Sequence, residues 1–391
     1  MKIGVVIERL EAWRGGAETS TLELCRLLVE RGHEVHVITT TNCQSLPNII
    51  FHTLKHSALI PSRRVANFAR RAALFIPSQS FDVVLAISLL PEADVYQPRG
   101  GLLAETLARN VYTRKSASRR LLKRALMAIN VKQRSMLDLE RRVFRPDGPL
   151  IACVSNYVAR QCEEYYDATP PRTRVIFNGV HPRVPEAEEW NGMRVHLRKE
   201  LELQDDDLLL LFLAHNFRLK GLYPLLETAS RLVVGGFTGF HLLVVGRDNV
   251  VPFQKHIESL GLQRFVTFMG PTQRATAFYA ACDVCVHPTY YDPCSRVVLE
   301  SLYHGIPVIT TSFNGAAEAM QDGREGFVIQ SPEDIGMWAR RITDLSSAEL
   351  RRKMSENAVK LREQISMKRH VAELDSLFHE IVERKQSATR A

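Results

Sequence analysis

The chain is 391 residues long, 45% hydrophobic and 24% charged, with a formal charge of +8. That length supports two domains, each able to bury a full core, and the composition excludes a disordered or fibrous chain. No apolar run reaches the roughly 18 to 20 residues that span a bilayer.

The opening, MKIGVVIERL, is too short and too quickly charged for a signal peptide and reads as a first buried strand. The seven cysteines, at 25, 43, 153, 162, 282, 285 and 294, are odd in number and mostly lie in apolar contexts, which suits a reducing cytoplasm. Cys282 and Cys285 form a C-x-x-C with no second pair to complete a zinc site, so they read as structural.

In chain order, KIGVVIE (2–8) is a buried strand of the parallel type. It leads through a loop bearing Gly15 and Gly16 into a helix ending at Gly32, and EVHVITT (34–40) is the next strand. This is the strand, glycine loop, helix, strand unit of a doubly wound sheet. The glycine pair lets backbone approach a ligand at a helix N-terminus, although a plain tight turn explains it equally well. The loop is not G-x-G-x-x-G, which argues against a nicotinamide cofactor. FDVVLAI (81–87) is a further strand. DVYQPRGGLL (94–103) ends in a second glycine pair and puts Arg99, Gly100 and Gly101 in a loop where open α/β sheets bind ligands. A long, basic helical stretch follows over residues 102–144, then the strand LIACVSN (150–156), a helix and RVIFNGV (174–180).

The positive charge is uneven. Residues 1–180 hold 26 Lys and Arg against 16 Asp and Glu, and the remainder holds 25 against 27. Much of the excess lies in RRVANFARR (63–71) and RKSASRRLLKR (114–124), which interleave basic with apolar residues. Such stretches fit a surface for anionic lipid or an acidic acceptor, or simply two solvated helices. No nucleic-acid-binding signature accompanies them.

Past Asn178-Gly179 the texture changes. HPRVPEAEEWNG reads as an interdomain linker. The triplet Asp205 to Asp207 precedes the next apolar run and reads as a solvated turn. A second alternating set begins with LLLLFLA (208–214) and continues through HLLVVG (241–246), FVTFMG (265–270), DVCVHP (283–288), IPVIT (306–310) and GFVI (326–329). Arg218 and Lys220 stand where the first of these strands gives way to helix, placed to neutralise a diphosphate in a cleft.

The most informative stretch is VCVHPTYYDPCSRVVLESLYHGIPVIT. It reads as strand, loop, amphipathic helix and strand, with Asp292 in the loop and Glu300 about two turns into the helix. The amides of Ser295, Arg296 and Val297 are the unpaired donors of a helix N-terminus, an anion site with a carboxylate on either side. That combination suits a sugar joined to a nucleoside through a diphosphate.

With these pieces in hand, the chain resembles the family-4 retaining glycosyltransferases of the GT-B fold, two Rossmann-like domains facing a central cleft. The matching pieces are GGAE (15–18), VIFNGV (175–180), RLKG (218–221), VVG (244–246), HPTYYDPCSRVVLE (287–300), GIPVITT (305–311) and DGREGFVI (322–329), spread over almost the whole chain. DVYQPRGGLL and ERRVF (140–144) look most like the lipopolysaccharide-core glucosyltransferases of that family. The resemblance implies an N-terminal acceptor domain over 1–181, joined by a last helix (366–391) that crosses back, and a nucleotide-sugar domain over 182–365. It implies that Glu300 binds the donor ribose, Asp292 the transferred sugar, and Lys220, Arg218 and the Cys294 to Val297 segment the diphosphate. Gly246, Met269 and Gly270 would line the donor site, and Gly15, Gly16, Arg99, Gly100 and Gly101 would approach from the first domain. It further implies a hexosyl transfer with retention, from UDP-glucose as the first expectation, to a lipid-linked or lipopolysaccharide-core glycan. No metal or other cofactor would be needed, and the enzyme would be peripheral on the inner face of the plasma membrane. Three departures stand out: Asp292 where Glu is common, Ser295 where Gly is common, and Arg99 where His or Asp often faces the sugar. The alternatives are another GT-B nucleotide-sugar enzyme (an epimerase, a mannosyl- or an N-acetylhexosaminyltransferase), or a catalytically silent membrane- or glycan-binding relative.

Overall fold

The computed structural model describes residues 1–11, 15–41, 46–54, 64–114, 116–204, 206–272 and 274–390. Cys43, Arg63, Lys115 and Asp205 lie outside the described residues. Two compact units emerge, Met1–Gly179 with Ser366–Ala391, and Val180–Ile365.

The first unit runs β1 (Lys2–Val6), α1 (Gly16–Glu30), β2 (Glu34–Thr39), β3 (Ile49–Thr53), α2 (Arg64–Phe75), β4 (Val83–Ala86), β5 (Val95–Tyr96), α3 (Leu103–Tyr112), α4 (Ala117–Ala128), α5 (Val131–Val143), β6 (Leu150–Cys153), α6 (Asn156–Tyr166) and β7 (Thr173–Val175). Its strands pair in parallel in the order β3-β2-β1-β4-β5-β6-β7. Central strands of such a sheet are covered on both faces and must be apolar throughout. Val5, between Val37 and Leu85, satisfies this. Strand order reverses between β1 and β4, and ligands of open α/β sheets bind beyond the strand ends at such a reversal.

The second unit runs α7 (Ala187–Glu200), β8 (Leu208–Leu213), α8 (Leu222–Val234), β9 (Phe240–Val245), α9 (Val251–Leu260), β10 (Val266–Gly270), α10 (Ala275–Ala281), β11 (Val284–His287), α11 (Arg296–Tyr303), β12 (Val308–Thr311), β13 (Gly326–Ile329), α12 (Ile335–Asp344) and α13 (Ala348–Val359). Its all-parallel order is β10-β9-β8-β11-β12-β13, reversing between β8 and β11.

The last helix, α14 (Met367–Arg390), belongs to the first unit. Met367, Val371, Leu374, Leu377 and Phe378 recur at helical spacing and are buried with Ile3, Val5, Leu24 and Leu28. At about 1.5–3 kcal/mol per buried side chain these five contribute roughly 10 kcal/mol, an upper bound. Asp375 ties the same helix to the end of α1, accepting from Arg31 Nε at 2.8 Å and meeting His33 Nε2 at 2.8 Å.

Three sequence expectations change. The helical stretch over 102–144 is three helices, because Ser116 and Asn130 act as N-caps, accepting from the amides of Arg119 and Gln133 and starting a new helix each time. The expected linker is extended only to about Glu186. Its second half is the start of α7, whose first turn carries Glu188 and Glu189 where the helix dipole favours acids. The sheet also gains β3 and the two-residue β5, both too short or too polar to read as strands from pattern alone.

Candidate functional site

The loops after β8 and β11 meet at the reversal of the second sheet. Gly221, at φ +84°, makes that approach possible: a Cβ there would lie 1.9 Å from the carbonyl oxygen of Pro288, so no other residue fits without moving backbone. The same pressing of backbone on backbone recurs at Gly246, φ +139°, where a Cβ would lie 1.8 Å from the Ala214 carbonyl oxygen. Gly246 also donates its N–H to the Gly270 carbonyl at 2.8 Å, so the ends of β9 and β10, with Met269, form one edge beside the β8 loop.

Lys220 Nζ donates to Asp292 Oδ2 at 2.7 Å and to the Tyr291 carbonyl at 2.9 Å. An ammonium has three N–H bonds, so one remains for a further oxygen. Asp292 is 8% exposed. Its backbone is clamped, N–H to the Phe313 carbonyl and C=O from the Gly315 amide, both at 2.9 Å. Burial alone would raise its carboxyl pKa, but Lys220 and then His287 hold it below the usual carboxylate range. His287 Nε2 lies 3.4 Å from Asp292 Oδ2, and burial keeps this imidazole neutral by lowering its pKa. A neutral ring donating from Nε2 leaves Nδ1 as an acceptor, and that atom is buried with no hydrogen-bond partner among the described residues. Asp292 Oδ1 carries no hydrogen bond among the described residues, which leaves it open to accept from a hydroxyl.

Helix α11 begins at Arg296, capped by Ser295, whose hydroxyl accepts from the Val298 amide. One expectation is corrected here: the Ser295 amide is not an unpaired donor, because Asn314 Oδ1 takes it at 3.1 Å. What remains at this end of α11 is the positive end of the helix dipole, at the turn that begins with Arg296. Glu300 accepts from Arg296 Nη2 at 2.8 Å on one oxygen and from Tyr279 hydroxyl at 2.8 Å on the other. Each oxygen keeps a lone pair directed elsewhere. Cys294 is buried and does not reach outward.

Of the two cations in the β8 loop, only Lys220 is brought onto the acid. The Arg218 guanidinium lies 4.6 Å over the Tyr223 ring and donates to its hydroxyl at 3.3 Å. In the first unit, Gly15 caps α1, its carbonyl accepting from the Thr19 amide at 3.2 Å, with Gly16 as the first helical residue. Gly101 turns at φ +76°, and Gly100 borders a cavity of about 470 Å³.

Arg99 is a second correction. It is 8% exposed and its guanidinium is spent inside the first unit, donating to Gln97 Oε1 at 2.7 Å, to Ser20 hydroxyl at 2.6 Å and toward His370 Nε2 at 3.4 Å. His370 gives its Nδ1 proton to the Phe177 carbonyl at 2.8 Å, which makes Nε2 the acceptor; burial and the adjacent Arg99 lower its pKa to about 3. Arg99 thus joins α1 to α14 and does not face a sugar. The sequence reading also passed over His287, Tyr279 and Asn314. His287 sits in the H-P pair at the end of β11, a signal that could have been used, whereas Asn314 reaches Asp292 through a bridge between segments 22 positions apart, which no local pattern reveals.

Residues 14–184 match the model for glycosyltransferase family 4, and residues 194–361 match that for glycosyl transferases group 1. In sequence the chain is similar to the lipopolysaccharide glucosyltransferase WaaG of Escherichia coli (strain K12), 24% identical over 375 residues, or 93% of this chain and 92% of that protein. Its fold is similar to the crystal structure of WaaG, with a TM-score of 0.80 at 21% identity, covering 96% of this chain and 99% of that one. It is also similar to Anabaena HepE in complex with UDP-glucose, with a TM-score of 0.69 at 18% identity, covering 99% and 100%.

Proposed function

The chain belongs to the family-4 glycosyltransferases of the GT-B fold, and we propose that it moves a hexose, glucose from UDP-glucose first, onto a lipid-linked or lipopolysaccharide-core glycan with retention of configuration. The observation that carries this is the cradle at the reversal of the second sheet: the half-buried Lys220 paired with the buried Asp292, the start of α11 and Glu300. Similarity to a lipopolysaccharide glucosyltransferase over most of both chains, and to a structure holding UDP-glucose, supports the donor and acceptor classes.

In this reading the third N–H of Lys220 and the first-turn amides of α11 hold the diphosphate, with Arg218 within the same loop. Asp292 Oδ1 accepts a hydroxyl of the transferred sugar, and Glu300 accepts the ribose hydroxyls. The bond from the anomeric carbon to the diphosphate oxygen breaks as the acceptor oxygen attacks from the same face, and its proton passes to the departing phosphate oxygen. The developing charge meets a fixed ammonium and a helix dipole, so the reaction needs neither a metal nor another cofactor. A panel of UDP-, GDP- and ADP-sugars tests the donor by thermal shift, because a ligand that binds only the folded state raises the melting point. UDP-glucose should give the largest shift and EDTA should not change turnover. A larger shift with GDP- or ADP-sugars overturns the donor assignment.

The same proposal makes the protein peripheral on the inner face of a membrane. Among the described residues no helix is long and apolar enough to cross a bilayer. Helix α4 buries none of its residues and exposes Leu121, Leu122 and Leu126 beside Arg119, Arg120, Lys123 and Arg124, the makeup of a helix that lies in an anionic interface. Sedimentation with anionic liposomes should lose the protein when the three leucines become Ser, with the melting point unchanged. Equal binding to neutral and anionic liposomes contradicts it.

A further inference from the structure

We propose that Tyr279 is the positioning residue through which the donor site selects a ribonucleoside diphosphate over its deoxyribose counterparts. It acts by fixing the carboxylate of Glu300 and touches no ligand itself. This inference rests on the transferase reading, in which Glu300 accepts the ribose hydroxyls, and adds what holds that acceptor still.

A glutamate carboxylate turns easily about its last bond, because a torsion between an sp³ and an sp² carbon has only a broad preference. Glu300 is held against that rotation by one donor on each oxygen: Arg296 Nη2 on Oε1 and the Tyr279 hydroxyl on Oε2, both at 2.8 Å. The two donors differ in kind. Arg296 lies one turn earlier on the same helix, and a guanidinium with five N–H bonds can divide itself among several anions, a diphosphate at this end of α11 included. Tyr279 comes from a different helix, α10, and has a single hydroxyl proton to give. Burial, and after it the Glu300 carboxylate, raise its pKa well above the usual value, so the hydroxyl stays a donor.

The Tyr279 ring is not free to follow the carboxylate. It is 2% exposed and lies 5.4 Å from the His304 ring at 31°, which lies in turn 4.9 Å from Trp190 at 32°. His304 stands one turn after Glu300, at the end of α11. Burial lowers its pKa to about 4, so the ring is neutral, and its Nε2 is buried with no hydrogen-bond partner among the described residues. It therefore serves as packing between the two aromatic side chains. Tyr279 is thus anchored to α11 twice, by its ring on His304 and by its hydroxyl on Glu300, in a stack that reaches Trp190 on α7. An acceptor whose supporting group is locked by packing keeps its direction.

That direction decides selectivity. The lone pairs left on the two oxygens meet the two vicinal hydroxyls of a ribose, which are both donors. Removing one hydroxyl leaves an immobile, charged acceptor unmatched, and such a site discriminates strongly against the analogue that lacks the group. A carboxylate able to rotate would turn to the remaining hydroxyl or to water and discriminate less. The Tyr279 hydroxyl therefore contributes more to the preference for ribose than to affinity alone.

The test titrates the full chain and Tyr279→Phe by calorimetry with UDP, GDP and ADP, each beside its 2′-deoxy and 3′-deoxy forms. In the unaltered protein the tightest of the three should bind at least about tenfold more tightly than one or both of its deoxy forms. Tyr279→Phe keeps the ring and its packing, and should reduce that ratio to about threefold or less. Loss of folded protein lowers the stoichiometry of the titration and leaves the ratio as it was, so a merely structural effect is told apart. In a Glu300→Ala background the ratio should already be about one, and adding Tyr279→Phe should not change it further. A full ratio in Tyr279→Phe, or equal binding of ribose and deoxyribose forms by the unaltered protein, overturns the inference and leaves the transferase reading standing. Absence of binding by all three nucleotides overturns both.

Discussion

The two sheets reverse strand order in the same way, yet the crevices at the two reversals are finished differently. In the second unit both site acids are matched at short range: Asp292 with Lys220 at 2.7 Å, and Glu300 with Arg296 at 2.8 Å. In the first, Glu8 and Arg9 are 3.9 Å apart, and Arg64 has an orphaned Nε. A crevice with its charges already paired is rigid and pre-set for a ligand that exchanges partners with them, as a nucleotide diphosphate would with Lys220. The same topology is thus finished with paired charges in one unit and with an unpaired guanidinium nitrogen in the other.

The largest expected effect comes from breaking the paired crevice. Lys220→Ala removes the cation proposed to hold the diphosphate and strands the buried Asp292 carboxylate. Turnover should fall about a hundredfold or more, and chemical denaturation should show a loss of about 3–5 kcal/mol. A variant with near-normal turnover would place the phosphate elsewhere.

Acid comes next, and it acts on both units. Burial holds His304 in the second unit at about 4 and His370 in the first at about 3, below the usual 6.5. Groups whose folded pKa is depressed contribute stability that is complete above the unfolded pKa and is lost as pH falls below it. Unfolding free energy should therefore hold above about pH 7 and fall toward pH 5, by about 2 kcal/mol for each of these histidines. His304→Gln and His370→Gln should each flatten that slope. A slope unaltered in both variants would remove these side chains as its cause.

The smaller effect separates packing from catalysis. Arg99→Lys keeps the charge but cannot reach Gln97, Ser20 and His370 together, and should cost about 1–3 kcal/mol of stability. Donor KM should stay the same. A rise in donor KM with unaltered stability would return Arg99 to the ligand.

What the sequence disclosed follows the same division. Asp292, Ser295, Arg296 and Glu300 fall within nine consecutive positions on one loop and helix, so strand, turn and helix periodicity were enough to bring them together. Lys220 was legible because a strand end, a cation and a glycine adjoin. The first-unit cavity escaped notice because Glu8, Arg64, Ser88 and Lys132 are dispersed over more than a hundred positions and meet only through sheet topology. Arg99 misled for a related reason: its place beside a glycine pair at a strand end is that of a ligand residue, but its side chain turns inward to a helix that arrives some 270 positions later. Local pattern locates backbone, and the partner of a long side chain is settled by tertiary packing.

The most direct measurement is the affinity of UDP-glucose for the protein and for Glu300→Ala, taken by calorimetry at one pH and salt concentration. Loss of charge-assisted hydrogen bonds to the ribose predicts binding weakened by about ten- to a hundredfold in the variant. Binding of equal strength in both would contradict the assignment of the second unit's crevice to a nucleotide sugar.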